Sequence, residues 1–235
     1  MRRTTCEQCD THGTCIIRDL PAERLDEFRA SGIVGLYKRR QVVFHEDAPA
    51  DGLYVLCRGT VKLYQSDRFG RDHIVGIAEP GDVLGELALD RPDRYSVSGE
   101  ALTEAQICYL PRERIVDLVE RHPMVGVRLI AALSSALAAA RRKVRELALK
   151  RAEGRLAELL LQLIEGGSAP AIKGTRIALG YSRRELAEMI GVSTETAIRL
   201  LGKLKQKHVI ATDHRDVIVT DPVRLARIAS HNNGA

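Results

Sequence analysis

The feature that most constrains the fold of this sequence is a series of short apolar runs between Ile33 and Leu110, separated by turn residues. Apolar and polar residues alternate within the runs, which recur about every ten residues. The runs begin at Gln41, Gly52, Gly59, His73 and Gln106, and turn signals lie at Gly59, Gly70 and Pro80–Gly81. Regularly spaced short strands of this kind are typical of antiparallel barrels and sandwiches. We therefore predict an N-terminal antiparallel β-barrel or sandwich.

A helical pattern follows the strands, from Pro111 to about Arg151, and it contains no Gly or Pro after Gly126. Its inner apolar positions alternate at spacings of three and four residues, and charged residues flank them closely. These positions are Ile130, Leu133, Leu137, Ala140, Val144 and Leu147. A narrow stripe with this spacing is typical of two-stranded coiled coils, so we predict that the helix forms a homodimer. The alternative is that the helix packs on its own barrel.

The C-terminal part of the chain carries a helix-turn-helix pattern. Ser182 and Glu185 have the spacing of a capping box, which predicts a helix that begins there. Gly191 supplies the backbone conformation that a turn between two helices requires, and Ser193 caps the second helix. A short hairpin with a turn at His214–Asp216 follows and predicts a wing. The inward side chains are expected to be Leu186, Ile190, Val192, Ala197, Leu200, Leu201 and Leu204.

The outward face of the second helix is the predicted DNA-reading surface. In this architecture, residues near the start of the second helix contact base edges in the major groove. Arginine can donate two hydrogen bonds to guanine, and glutamate can accept one from cytosine. The predicted DNA-contacting residues are Ser193, Thr194, Glu195, Ile198, Arg199 and Lys203. The alternative is a plain helical hairpin with solvated charges.

Positive charge is concentrated around the same motif. Between Thr175 and His208, seven Lys or Arg residues stand against three Glu residues, although the net charge of the whole chain is only +5. A cluster of basic residues on one segment is the electrostatic signature of a nucleic-acid-binding surface. Double-stranded DNA is therefore the expected partner.

Five cysteines are spaced unevenly along the chain, and three of them, Cys6, Cys9 and Cys15, lie close together. The start of the chain is too polar for an export signal, so an odd number of cysteines indicates metal or redox chemistry rather than a disulfide framework. Three clustered thiolates fit zinc, with Cys108 or His12 as the fourth ligand, and they also fit an iron–sulfur cluster.

These features together resemble the cyclic-AMP receptor protein and fumarate–nitrate-reduction regulator (CRP/FNR) superfamily over nearly the whole chain. The matching motifs are Pro80-Gly81-Asp82, Gly85-Glu86-Leu87, the long helix and the segment that begins at Thr194. The resemblance implies an α+β fold: a jelly-roll barrel like those that bind cyclic nucleotides, a dimerisation helix and a winged helix-turn-helix. It also implies a transcription regulator that binds palindromic DNA as a homodimer and works with RNA polymerase.

The three clustered cysteines match the FNR branch, in which four cysteines hold an oxygen-labile [4Fe–4S] cluster. Carried over to this chain, the ligands are Cys6, Cys9, Cys15 and Cys108, and Cys57 is a buried structural thiol on a strand. In that branch the cluster promotes dimerisation and DNA binding when oxygen is absent. The alternative is a CRP-like regulator with a small-molecule effector in the barrel, whose cysteines hold zinc or no metal.

Two departures from the family pattern are visible. FNR-type recognition helices carry Glu-x-x-Ser-Arg, whereas this chain has Ile198 at the serine position, between Glu195 and Arg199. The phosphate-binding Arg-Ser pair of the cyclic-nucleotide cassette is split here by Tyr95. Splitting that pair displaces the guanidinium that would hold a phosphate. We therefore expect Glu86 to be a loop residue rather than a ribose contact.

The expected organisation has four parts. Residues 1–20 form the cysteine-bearing segment, 21–122 the barrel, 123–153 the dimerisation helix and 154–235 the winged helix-turn-helix. No apolar run approaching about 18 residues was identified, so we expect a cytoplasmic protein without a membrane partner. No P-loop, metal-hydrolase motif or nucleophile–base pair is present, so an enzyme is not expected.

Overall fold

The computed structural model describes residues 15–17, 33–85, 94–165, 172–177, 180–213 and 216–230. The first part of this chain is built from antiparallel strands. They are β1 (Ile33–Tyr37), β2 (Val42–Phe44), β3 (Gly52–Arg58), β4 (Val61–Ser66), β5 (Asp72–Ala78), β6 (Val83–Leu84), β7 (Ser98–Ala101) and β8 (Ala105–Pro111). These strands form two four-stranded sheets, ordered β1-β8-β3-β6 and β2-β7-β4-β5. The predicted strand runs are confirmed, and β1, β6 and β7 are added to them.

The two sheets form a sandwich: over the described residues they do not close into a barrel. The α+β fold class is confirmed. The edge strand β6 has only two residues and pairs with β3 through Tyr54 and Val55.

Strand β3 shows how alternation divides the apolar side chains between two cores. Leu56 packs between the sheets, whereas Leu53 and Val55 face the opposite side. The core between the sheets comprises Phe44, Ala50, Leu56, Val61, Ala78, Leu84, Tyr95, Ala101, Ala105 and Ile107. A second core, called here the cysteine-lined core, comprises Cys15, Ile16, Ile17, Leu53, Val55, Cys108, Leu110, Ile115, Val125 and Leu129.

Two helices follow the sandwich, α1 (Arg112–Arg121) and α2 (Pro123–Leu149). The stretch predicted to be helical from Pro111 to about Arg151 thus contains two helices, which are separated at His122. Pro123 has no N–H to donate, and its ring disfavours the helical conformation of the preceding residue, so the chain restarts there. Helix α2 ends at Leu149.

The chain divides into two compact units, residues 1–140 and 141–235. The elements of the second unit after α2 are α3 (Ala152–Glu165), β9 (Arg176–Ile177), α4 (Arg183–Ile190), α5 (Thr194–Gln206), β10 (Ile210–Asp213), β11 (Asp216–Val219) and α6 (Pro222–Ser230). Its strands form a three-stranded sheet ordered β10-β11-β9. Leu156 and Leu160 of α3, with Leu186 and Leu204 of the helix-turn-helix, are completely buried.

Candidate functional site

The helix-turn-helix is formed by α4 and α5, and its boundaries are fixed by the predicted local interactions. The Ser182 hydroxyl accepts a hydrogen bond from the Glu185 N–H at 3.2 Å, and the Glu185 carboxylate accepts one from the Ser182 N–H at 2.5 Å. The capping box is thus confirmed. Gly191 ends α4 with φ of 66°, in the left-handed region that favours glycine.

The second helix begins at the predicted cap. The Ser193 hydroxyl accepts a hydrogen bond from the Thr196 N–H at 3.2 Å. Six of the seven expected inward residues are buried, and Val192 at the turn is half-buried. This burial confirms the predicted inner faces of α4 and α5. The opposite face of α5 is exposed to solvent.

The outer face of α5 carries the predicted DNA-contacting side chains. Glu195, Arg199 and Lys203 are exposed along one side of the helix. Ile198 lies on the same side and is 53% exposed. The face thus combines an anion, cations and one apolar contact that fits a thymine methyl group.

Glu195 lies in the first turn of α5, close to its cap. Hydrogen bonds from its own backbone N–H and from the Ser193 hydroxyl lower the pKa of the Glu195 carboxyl below its ordinary value. The helix N-terminus also favours a negative charge at this position. Glu195 is therefore ionised at neutral pH and accepts hydrogen bonds only, as contact with a cytosine amino group requires.

The basic residues counted in the sequence are not equivalent in the structure. Arg176 donates to Asp216 at 2.8 Å and to Asp213 at 2.7 Å, and so ties the strands of the wing together. Arg184 pairs with Glu188 at 2.7 Å, and Lys207 with Glu153 at 2.5 Å. Of the other four, Arg199, Lys203 and Lys205 are exposed on α5, and Arg183 at the start of α4 is half-buried.

The predicted wing is also observed. Strands β10 and β11 form an antiparallel pair in which Ile210 lies opposite Val219, and β9 adds a third strand through Ile177 and Val217. His214 and Arg215 of the wing turn lie outside the described residues.

Two of the four predicted metal ligands are described, and they lie in one core. Cys15 is 9% exposed and Cys108 is 5% exposed, and both belong to the cysteine-lined core. Cys108 lies on β8, opposite Val55 of β3 and Val34 of β1. Cys6 and Cys9 lie outside the described residues. Over the described part of the chain, no group of three or more ligating side chains converges on one point.

Cys57 also packs against the cysteine-lined core, on strand β3. Its thiol donates to the Val55 carbonyl oxygen across 3.6 Å, and the side chain is half-buried rather than buried as expected. The pairing of β3 with β8 shifts register between Leu56 and Arg58, so Cys57 sits at a bulge. A bulge displaces a side chain from regular alternation and explains the partial exposure.

The start of helix α2 packs into the same core as the two cysteines. Val125 and Leu129 are buried members of the cysteine-lined core, and Leu133 packs against it while partly exposed. Leu133 is also one of the predicted dimer-seam residues. A change around Cys15 and Cys108 would therefore reach the first residues of the seam through direct packing.

The rest of the predicted seam is exposed on α2. Ile130 and Val144 are 65% and 67% exposed, and Leu137, Ala140 and Leu147 are exposed as well. By length and composition this helix is also apolar enough to cross a membrane. The expectation that the chain has no apolar run of about 18 residues is therefore wrong. An apolar stripe of this extent marks a surface that binds another apolar surface.

The interior of the sandwich is filled by aromatic side chains. Tyr95 is buried, its ring centroid lies 4.8 Å from that of Phe44, and its hydroxyl donates to the Gly52 carbonyl at 3.0 Å. A Cβ on Gly85 would lie only 2.7 Å from the Tyr95 ring. Arg94 donates to the backbone carbonyl of Asp47. Tyr95 thus fills space beside the cassette glycine, whereas Glu86 lies outside the described residues.

Two functional candidates were missed by sequence reasoning. Lys143 of α2 donates to the Met189 carbonyl, and Arg155 of α3 donates to the Ile190 carbonyl at 2.8 Å. Both carbonyls lie at the end of α4. Bonds from a side chain to a distant backbone carbonyl leave no pattern in the sequence.

Comparison with known proteins matches both units. The cyclic nucleotide-binding domain family matches residues 35–122, and the Crp-like helix-turn-helix domain family matches residues 154–228. The chain is 27% identical over 193 residues to the CRP-like cAMP-activated global transcriptional regulator of Mycobacterium tuberculosis, covering 82% of this chain and 86% of that protein. It is 25% identical over 227 residues to the anaerobic regulatory protein of Pasteurella multocida, covering 95% and 82%.

Among solved structures, the c-di-GMP responsive global regulator CLP of Xanthomonas campestris superposes with a TM-score of 0.75 at 25% identity. The match covers 85% of this chain and 99% of that one. A sensor sandwich followed by a winged helix-turn-helix defines a DNA-binding transcription regulator. The chain belongs to the CRP/FNR superfamily of such regulators, and its relatives are regulators rather than enzymes.

Proposed function

We propose that this regulator binds palindromic DNA as a cytoplasmic homodimer and responds to oxygen or redox state through a [4Fe–4S] cluster. The ligands are Cys6, Cys9, Cys15 and Cys108. The observation that carries the proposal is that Cys15 and Cys108, which are far apart in the sequence, lie in one buried core with the start of helix α2. RNA polymerase is the expected protein partner.

The donor chemistry around Cys15 and Cys108 fits an iron–sulfur cluster. Such clusters take four cysteine thiolates, and burial among apolar side chains limits access of water to them. Leu53, Val55 and Leu110 supply that apolar surrounding. When bound, the cluster supplies oxygen-labile iron–sulfur bonds, as the resemblance to the FNR branch implies.

The residues of this chain provide the route from the cysteines to the dimer seam. Val125 and Leu129 pack in the core that contains Cys15 and Cys108, and Leu133 packs against that core and belongs to the seam. Anchoring Cys15 to Cys108 would restrict the packing of these three side chains. The restriction would bias how α2 presents its seam to a second copy.

A second copy of the chain is the occupant that fits the exposed stripe of α2. Its spacing of three and four residues is that of a coiled-coil seam, whereas a lipid-facing helix needs no such period. The arginines at 141, 142 and 145 lie among the last residues of the stripe and would be disfavoured in a membrane. A two-fold dimer then places two α5 helices in successive major grooves, which explains palindromic targets.

The similarity pattern agrees with the redox interpretation. The match to the anaerobic regulatory protein extends over 95% of this chain, compared with 82% for the cAMP-activated relative. A match of that extent includes part of the cysteine-bearing segment at 1–20.

The first prediction concerns the ligands. Replacing Cys6, Cys9, Cys15 or Cys108 individually by Ser removes one of four thiolates and should abolish cluster assembly in anaerobically purified protein. Cys57→Ser is the matched control, because Cys57 packs against the same core and yet is outside the ligand set. Iron and sulfide are assayed together with zinc. Wild-type protein and Cys57→Ser should hold about four irons per chain, in line with the cluster stoichiometry.

Loss of iron in Cys57→Ser equal to that in the other variants would contradict the ligand assignment. Zinc without sulfide in the wild-type protein would show that the cysteines hold a structural zinc ion and no iron–sulfur cluster.

A second candidate function is regulation by a small-molecule effector in the sandwich, which the similarity to a cAMP-activated and a c-di-GMP responsive regulator favours. Against it, Tyr95 occupies the space beside Gly85, and Arg94 bonds to a backbone carbonyl. Calorimetric titration with cAMP and with c-di-GMP distinguishes the two functions. We expect no saturable binding of either nucleotide at micromolar concentrations.

A further inference from the structure

The last four carbonyl groups of helix α4 all accept hydrogen bonds from groups outside the helix. The final four carbonyls of a helix have no partner within the helix. Backbone N–H groups at the turn serve two of them: Gly191 donates to Glu188 at 3.3 Å, and Val192 donates to Ala187 at 3.0 Å. The remaining two, those of Met189 and Ile190, accept from the side chains of Lys143 and Arg155.

These two cations come from the helices that lead into the DNA-binding unit. Lys143 lies in the last turns of α2, and Arg155 lies in the first turn of α3. Arg155 also donates to the Lys150 carbonyl at 2.8 Å, in the short connection between the two helices. One guanidinium therefore bridges this connection and the end of α4.

Charge and burial favour these contacts. Cations are stabilised near the C-terminal end of a helix, where the backbone dipoles leave negative partial charge. Burial lowers the pKa of Lys143, Arg155 lowers it further, and Glu146 opposes both. Because the Lys143 side chain is half-buried, water competes less for its hydrogen bond to Met189 than it would at an exposed site.

The same stretch of α2 also contacts the turn of the motif. A Cβ added to Gly191 would lie 3.1 Å from a methyl carbon of Leu147, so the two residues pack closely. Leu147 is exposed on its other side and belongs to the predicted dimer seam. One turn of helix therefore contacts the helix-turn-helix and presents the seam.

We propose that Lys143 and Arg155 are positioning residues that fix α4, and with it the recognition helix α5, on the last turns of the dimer helix. Sequence-specific DNA binding then depends on two side chains that are bonded to backbone carbonyls and contact no base. The inference rests on the DNA-binding clause of the proposed function and requires no metal.

The test compares Lys143→Gln with Arg142→Gln, which removes the same formal charge from an exposed neighbour on α2. The probes are the duplex recovered by in vitro selection with wild-type protein and a shuffled duplex of equal length. Lys143→Gln should lose about tenfold in affinity for the selected duplex, within the usual range of coupling between sites. Its affinity for the shuffled duplex and its dimer mass should match those of Arg142→Gln. Lys143→Arg should restore selective binding.

Selective affinity in Lys143→Gln equal to that of Arg142→Gln would overturn the inference, and so would an equal loss on both duplexes. If Lys143→Gln fails to fold, Lys143→Met keeps the aliphatic stem and undergoes the same comparison. Wild-type protein that selects no sequence would contradict the proposed function itself, whereas selection by wild-type protein with an unaffected Lys143→Gln contradicts only the positioning role.

Discussion

Ile198 illustrates how one residue changes the chemistry of a reading surface. It stands where related recognition helices carry a serine hydroxyl, and it projects into solvent between Glu195 and Arg199. A butyl-sized apolar group cannot donate a hydrogen bond, but it can contact a thymine methyl. We therefore expect a half-site resembling TTGAT, in which the loss of the hydroxyl affects the outer bases rather than the inner ones.

Arg199→Ala should remove a bidentate contact to one guanine. The expected cost is about 1–3 kcal/mol at that base pair, with relaxed specificity there. Lys203→Ala is the comparison, because it should weaken all sequences similarly and reduce the slope of log affinity against log salt by about one. Binding to a panel of single-base variants of the selected duplex, at several salt concentrations, measures both effects. Loss of the same discrimination in both variants would contradict the assignment.

Gly191 and Gly202 provide a matched pair for stability. Gly191→Ala introduces a Cβ at φ of 66°, close to Leu147, and should destabilise the protein by about 1–2 kcal/mol. Gly202→Ala lies on the exposed face of α5 with open space around the new methyl group, and it should stabilise the helix by about 1 kcal/mol. Urea denaturation of the two variants measures the difference. Equal effects would show that the left-handed conformation at Gly191 is not required.

At the scale of elements, helix α2 makes different packing contacts at its two ends. Its first turns, through Val125 and Leu129, complete the cysteine-lined core, and its last turns carry Lys143 and Leu147 against the DNA-binding motif. Between them the helix exposes an apolar stripe that no other described part of the chain covers. A second copy on this stripe would connect both ends to the state of the dimer.

Leu137→Glu tests the seam at its centre. Leu137 is exposed within the single chain, so the substitution should leave the monomer folded but place two carboxylates in the apolar interface. Burying such charges without partners should weaken dimerisation by about 3 kcal/mol or more, which is roughly a hundredfold. Ala138→Glu, exposed beside the stripe, is the control. Analytical ultracentrifugation that finds both variants equally dimeric would remove α2 as the interface.

For the whole molecule, local rules predicted the elements, and tertiary contacts determined the rest. Alternation located β3 and β8, and the capping box located α4, because these signals act over a few residues. The break at His122 follows from Pro123, which is also a local signal. Neither the shared core of Cys15 and Cys108 nor the Lys143 contact with Met189 is encoded in local spacing.

The charge count likewise gives the net charge of the segment but not which of its cations form ion pairs. Arg176, Arg184 and Lys207 contribute to the basic segment in the sequence, yet each forms an ion pair in the folded unit. Their partners, on the wing, on α4 and on α3, can be identified only after the chain is folded. Exposed pairs of this kind are weak and leave the segment basic, and α5 carries three of its exposed cations, Arg199, Lys203 and Lys205.

In the proposed function, the cysteines control DNA binding through the dimer helix. The affinity of the protein for its operator in two redox states tests this control most directly. The seam is apolar throughout, so part of the dimer should survive oxidation by mass action, and affinity should change more than mass. Anaerobic protein and air-exposed protein are titrated with the selected duplex and sedimented at the same concentrations. We predict that air-exposed protein binds at least about tenfold more weakly, within the range of allosteric coupling, while remaining partly dimeric. If both forms are equally dimeric and bind the duplex equally tightly, the cysteines do not control DNA binding and the proposed function is wrong.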